Sequence, residues 1–476
     1  MKKISVLALL ICVAAALNAK VVLPNVIGDN MVLQQKSDVA LWGNAAPGAK
    51  VVVTPSWTKE KSTVKAGEDG KWFLRVRTPE AGGPYEITFS DGEKLTVHNV
   101  LIGEVWICSG QSNMAMRMRG SGAQPVNGSA DIILGAKRET PIRTCNIKNA
   151  VSLTPESDCG AAWKENTPQD VADASAVAYF FAKYIHDILG VPVGVINTSW
   201  GGTPIEAWMS KEVLEKEFPG EFKMTIYENN QLPEKKAQYY PGVLYNGMIH
   251  PIAPFTAKGF LWYQGCANRN RWEQYKRLQP AFVRMLRQCW GNEDMPFYFT
   301  QIAPYRYSDP QGREAAFMMW AQAQTLEMIP NSGMAATHDI GEFACIHPAA
   351  KKQVGERLAY LALENQYGVK GIDVRTPMPK SYEFKEGAAF VKFNAGRMGV
   401  SPLALELEGS FELAGADKVF YPAKAMVQDD RHSIKVWCPE VPEPVAVRYG
   451  MRNWSQAQIF NCYGIPVSPF RSDDWD

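Results

Sequence analysis

Hydrophobic and polar positions follow three successive rhythms along the chain. Between residues 20 and 99, short apolar runs recur, such as Val39-Ala40-Leu41-Trp42, Val51-Val52-Val53-Thr54 and Trp72-Phe73-Leu74-Arg75-Val76. Turn signals at Gly28-Asp29-Asn30, Pro47-Gly48, Asp69-Gly70 and Asp91-Gly92 separate them, which predicts a small antiparallel sandwich. The stretch 43–50 resembles a phosphate-binding loop, but Ala49 interrupts the required Gly-Lys pair and no helical pattern follows, so it reads as a turn. From 100 to 374, strand-like runs alternate with helical ones. Strands are predicted at 100–108, 191–197, 257–263, 296–302 and 334–339, and helices at 174–189, 272–290, 314–328 and 349–366. In the first helix Val177, Phe180, Phe181, Tyr184, Ile185 and Leu189 share one side, Asp173 is placed to cap the start and Gly190 stops it. This alternation predicts an α/β doubly wound parallel sheet with helices on both faces, and a ligand site beyond the carboxyl ends of its strands. From 375 to 476 short strands return, at 389–393, 403–407, 433–438 and 445–449, which predicts a second β domain.

The first nineteen residues break from all three rhythms. Lys2 and Lys3 precede a run, 4–17, that is apolar except for Ser5, and small residues follow. That is the pattern of a secretory signal, with cleavage after Ala16 or Ala19, and it predicts a periplasmic or extracellular protein. Composition narrows the function classes. Lys and Arg total 50 against 49 Asp and Glu, a net charge of +1, which gives no electrostatic basis for nucleic acid or an anionic membrane as partner. No later apolar run is long enough to span a bilayer. Of nine cysteines, Cys12 lies in the signal, leaving eight that an oxidising compartment could pair. None forms C-x-x-C, and the six histidines include no H-E-x-x-H, so no metal or cofactor is expected.

Gly110-Gln111-Ser112-Asn113-Met114 directly follows the predicted strand ending Trp106-Ile107-Cys108. A serine at a glycine-bearing turn after a strand can project its hydroxyl from the sheet edge. The segment Glu104-Val-Trp-Ile-Cys-Ser-Gly-Gln-Ser-Asn-Met114 resembles the signature of the sialate O-acetylesterase family, a branch of the SGNH (GDSL-like) hydrolases. Met31-Val-Leu-Gln34, Gly70-Lys-Trp72, Asn197-Thr-Ser-Trp-Gly-Gly-Thr-Pro-Ile-Glu-Ala-Trp208, Tyr245-Asn-Gly-Met248, Trp262-Tyr-Gln-Gly265, Ile346-His-Pro348 and the segment 461–471 resemble later blocks of that family in the same order.

The resemblance implies an SGNH-type αβα catalytic domain over 100–374, between β domains at 20–99 and 375–476, and acyl transfer without a metal. Ser112 would be the nucleophile and His347 the general base and then acid. The N–H of Ser112, an N–H at Gly201 or Gly202, and the side-chain amide of Gln264 or Asn268 would hold the oxyanion. His250 could lie near the pocket, and Trp200, Trp208, Trp262 or Trp320 could stack on a sugar.

Members of the family often carry a carboxylate two or three residues before the histidine and a Glu after the Gln-Gly pair. Here Ala344 and Cys345 precede His347, and Cys266 follows Gly265. Asp339 and Glu342 are the nearby candidates for the third member, and a Ser–His dyad is the other possibility. Cys266 and Cys345 would be either a disulfide joining two catalytic loops or two separate thiols. The implied substrate is O-acetylated sialic acid, with acetylated xylan or another acetylated carbohydrate as the close rival. A non-catalytic carbohydrate-binding protein is the rival of another class. Activity should fall as His347 protonates, about pH 6 to 7.

Overall fold

The computed structural model describes residues 20–58 and 60–475. The signal segment and Cys12 lie outside the described residues. The centre is a sheet of β1 (Lys94–Gly110), β2 (Ile142–Asn146), β3 (Trp163–Lys164), β4 (Val193–Ser199), β5 (Gly259–Tyr263), β6 (Phe297–Thr300) and β7 (Ser332–Ala335). Their spatial order is β7-β6-β5-β1-β4-β2-β3, parallel except for β3 at the edge.

Successive strand residues point to opposite faces, and the sequence uses both. Ile107, Phe260, Trp262, Phe297 and Phe299 enter one core; Trp106, Cys108, Leu261, Tyr263 and Tyr298 enter the other. Such two-sided apolar runs are what a sheet covered on both faces requires. Five helices bear on the argument: α1 (Ser112–Ala115), α2 (Ala176–Leu189), α3 (Trp272–Trp290), α4 (Glu314–Gln324) and α5 (Lys351–Gln366). Helices α2 and α5 cover the Trp106 face, while α3 and α4 cover the Trp262 face. The expected α/β doubly wound architecture is therefore present.

The chain starts this sheet at β1, goes to one side through β2 and β4, and then to the other through β5, β6 and β7. The order reverses at β1, which is where a crevice opens beyond the carboxyl ends. Register makes those ends level, since Gly110 pairs with Ser199 of β4 and with Tyr263 of β5.

β1 is longer than expected. Its first half pairs antiparallel with the strand Gly82–Ser90 of the N-terminal β region, and its second half pairs in the central sheet. The division drawn at residue 99 thus falls inside a continuous strand. At the other end of the chain, a seven-stranded antiparallel sheet occupies residues 378–471. Two expected details differ. Ser175, not Asp173, caps α2, its hydroxyl accepting from the Ala178 N–H at 3.2 Å; Asp173 instead pairs with Arg117 and Arg119. The run 403–407 forms no strand before Leu407, and Leu403 and Leu405 face solvent.

Candidate active site

β1 delivers Ser112 to the crevice through Gly110 and Gln111. Gly110 has φ +139°, and a Cβ there would lie 2.2 Å from the Tyr263 carbonyl oxygen, so the motif needs glycine at this place. The last block, after β7, brings His347 to the same spot from 235 residues away. His347 Nε2 lies 2.8 Å from Ser112 Oγ.

The other ring nitrogen, Nδ1, lies 2.6 Å from Gln124 Oε1. Neither expected carboxylate is there. Asp339 accepts both arms of the Arg357 guanidinium, at 2.7 and 2.6 Å, tying the end of β7 to α5. Glu342 accepts the Ala349 N–H at 2.6 Å, closing its own loop. Each is engaged by a donor other than the imidazole. Gln124 itself is fixed by a tight turn in which it and Ser121 exchange backbone hydrogen bonds of 3.1 and 3.0 Å. Its loop is pinned to the histidine loop by Asn127 N–H donating to the Ala349 carbonyl at 3.0 Å.

Beneath the pair lies Lys351, the first residue of α5, with 0% of its surface exposed. Its ammonium donates to Asn113 Oδ1, and Asn113 Nδ2 donates to the Ile346 carbonyl at 3.1 Å. Burial pushes the Lys351 amine down to about 7. His347, half-buried, is held below its ordinary range, first by burial and then by the positive charge of Lys351. Both effects disfavour imidazolium, so the base form persists to lower pH than the 6–7 expected from an unperturbed ring.

The expected amide donors to an oxyanion are occupied. Gln264 is 0% exposed, and its Nε2 donates to the Thr203 carbonyl at 3.1 Å and to Asn268 Oδ1 at 2.7 Å. Asn268, also buried, donates to Glu206 at 2.9 Å. These amides brace the turns behind the crevice. Gly201 reaches the front, and a Cβ on it would lie 3.4 Å from Ser112 Cβ. The backbone N–H groups of Gly201 and Gly202 have no hydrogen-bond partner among the described residues.

A cavity of about 460 Å³ opens on this constellation, lined by Ser112, His347, Gln124, Gly201, Arg117 and Arg119 among others. The aromatic platforms expected from the sequence are elsewhere. Trp208 and Trp262 are wholly buried, edge to face at 6.3 Å, with their indole N–H groups donating to Thr203 and Tyr275. Trp320 packs against Trp272 and the C-terminal β domain. Trp200 is partly buried against the Trp262 core. His250 is held by the Glu156 carbonyl at 2.7 Å and does not line the cavity. Cys266 and Cys345 are both free thiols, with Cys345 donating to the His347 carbonyl at 3.2 Å. Among the described residues no group of three or more His, Cys, Asp or Glu is placed to hold a metal ion, and no helix is long and apolar enough to cross a membrane.

Gln124 is absent from the sequence-derived candidates because an amide in a glycine-rich loop carries no mark of a histidine partner. Lys351 did carry a signal. It shares the inward stripe of its helix with Val354, Gly355 and Leu358, at the spacing of one buried face.

Known proteins resemble this chain throughout. The family model for carbohydrate esterase, sialic acid-specific acetylesterase, matches residues 102–364. The sialate O-acetylesterase of Rattus norvegicus is 30% identical over 414 residues, covering 75% of this chain and 76% of that protein. Its Homo sapiens counterpart is 30% identical over 393 residues, covering 75% and 73%. The crystal structure of a novel carbohydrate acetylesterase from Xanthomonas citri superposes with a TM-score of 0.86 at 32% identity, covering 96% of this chain and all of that one.

Proposed function

Because the chain belongs to the sialic acid-specific acetylesterase family of carbohydrate esterases, we propose that it is a serine esterase removing O-acetyl groups from sialic acids through an acyl-enzyme. The observation that carries this reading is the 2.8 Å contact between Ser112 Oγ and His347 Nε2 at the mouth of a cavity.

Gln124 Oε1 accepts the Nδ1 proton, which leaves the Nε2 lone pair facing Ser112. As Ser112 Oγ bonds to the acetyl carbonyl carbon, its proton passes to Nε2. The carbonyl oxygen becomes an oxyanion facing the N–H groups of Ser112 and Gly201, each such donor contributing about 10²- to 10³-fold in rate. The sugar oxygen then leaves with the proton from Nε2. Water, deprotonated by the same nitrogen, releases acetate and restores Ser112.

The charge of the cavity favours sialic acid over a neutral sugar. Arg117 and Arg119 share a single carboxylate, Asp173, at 3.2 and 2.8 Å, so among the described residues one guanidinium charge at the rim has no carboxylate of its own. Sialic acid carries a carboxylate that could complete this pairing, and a xylose unit carries none. Replacing both arginines by Gln is expected to reduce kcat/KM on an O-acetylated sialic acid by about 10- to 100-fold while acetylated xylan is hardly affected, as loss of one charged hydrogen-bonded pair would give. Equal losses on both substrates would instead favour another acetylated carbohydrate, such as acetylated xylan, as the substrate.

Export belongs to the same reading, supported by the basic and apolar pattern of residues 1–19. Recovery of the protein from cells with Met1 intact would overturn that part.

A further inference from the structure

Lys351 has no evident place in acyl transfer, yet the fold buries it completely beside the reacting pair. Among the described residues it forms no ion pair. Its Nζ lies 5.9 Å from the centre of the Tyr263 ring and donates to Asn113, the residue after the nucleophile. Asn113 in turn holds the carbonyl of Ile346, the residue before the histidine. One amine therefore reaches both halves of the site through a single amide. The groups facing it are Glu342, Cys345 and His347 from the loop before α5, Cys266 and Tyr263 from β5 and the turn after it, and Asn113 from α1. A buried cation with no close counter-ion is costly in any fold, and this one sits where a second cation, imidazolium, would form.

We propose that Lys351 is a positioning residue that sets the acid limit of the reaction: its ammonium, anchored by Asn113, opposes protonation of His347 while the same bridge aligns the two loops. The proposal rests on the reading of Ser112 and His347 as the working pair. In the acid range, where His347 would take a proton, Lys351 is charged and its field is present. Above about 7 the amine is neutral, but the imidazole has already lost its proton.

The test is the pH dependence of kcat/KM on 4-nitrophenyl acetate, measured for the full-length chain. Wild type should reach half its plateau activity below the ordinary imidazole value of about 6.5. Lys351→Met, similar in length but uncharged, should move that half-activity point up by about one pH unit, besides lowering the plateau. Lys351→Arg, which keeps the charge, should leave the point near wild type. Should the Met variant not fold, Lys351→Gln decides, because it removes the charge while keeping a polar side chain beside Asn113, and it should move the point the same way. A reduced plateau with an unmoved half-activity point, in whichever of these variants folds, would make Lys351 a brace only and overturn the proposal. Full activity of Ser112→Ala in the same assay would instead remove the pair on which it rests.

Discussion

Ser112→Ala is expected to lower kcat on an acetyl ester by about 10⁴- to 10⁶-fold, and His347→Ala by a similar factor. The double variant should be no worse than either single one. The reason is geometric. With 2.8 Å between Oγ and Nε2, the proposed attack needs the imidazole to take the hydroxyl proton, and the later proton transfers at Nε2 occur only once that attack has formed the acyl-enzyme. Removing either member removes the same step, so the effects do not add. Residual turnover above water would come from binding and from the backbone donors near Gly201. Losses that multiplied in the double variant would show two independent roles and break the proposed mechanism. Retention of most activity by Ser112→Ala would do so more directly.

The second large effect concerns Gln124, which stands where a carboxylate is common. An amide oxygen 2.6 Å from Nδ1 fixes the tautomer but contributes no negative charge as imidazolium forms. Gln124→Ala should lower kcat by about 10- to 100-fold, the range for losing one hydrogen bond to a group that becomes charged. Gln124→Glu should act differently. A carboxylate against Nδ1 favours the protonated ring and raises its pKa by about 1–3 units. A base is active only when unprotonated, so the acid limb of the rate profile must move to higher pH by that amount, with the plateau no lower than wild type. Steady-state rates across pH 4.5–8.5 would show it. An unshifted limb in the Glu variant, or full activity in the Ala variant, would mean that Gln124 does not orient the ring.

The features that could be read from the sequence are those governed by local rules. Two-sided apolar runs such as Phe260-Leu261-Trp262-Tyr263 marked buried parallel strands, and the helix over Ala176–Leu189 was delimited by periodicity and by Gly190. Ser112 and His347 were legible as candidates because each lies in a family motif that follows a strand end. What escaped depends on competition between partners in three dimensions. Asp339 is near His347 in sequence, but the bidentate pull of Arg357, eighteen residues later, decides its direction. Gln264 sits in a motif at a strand end, but Thr203 and Asn268 occupy its amide. Trp208 ends one motif block and Trp262 opens another, yet they fill the core under the crevice, as large aromatics usually do. Asp173 lost the capping position to Ser175 because two arginines from the cavity rim hold it. Leu403 and Leu405 failed as strand residues because an apolar pair guarantees neither a ladder partner nor a core to enter.

β1 runs unbroken from Lys94 to Gly110, two positions short of Ser112. Its early residues are laced to Gly82–Ser90 and its late ones to β4 and β5. The amino-terminal layer is thus no detachable accessory. Trimming the gene at residue 99 would sever the very thread that carries Ser112, and loosening of either layer must be felt in the other, so the two should melt in a single transition.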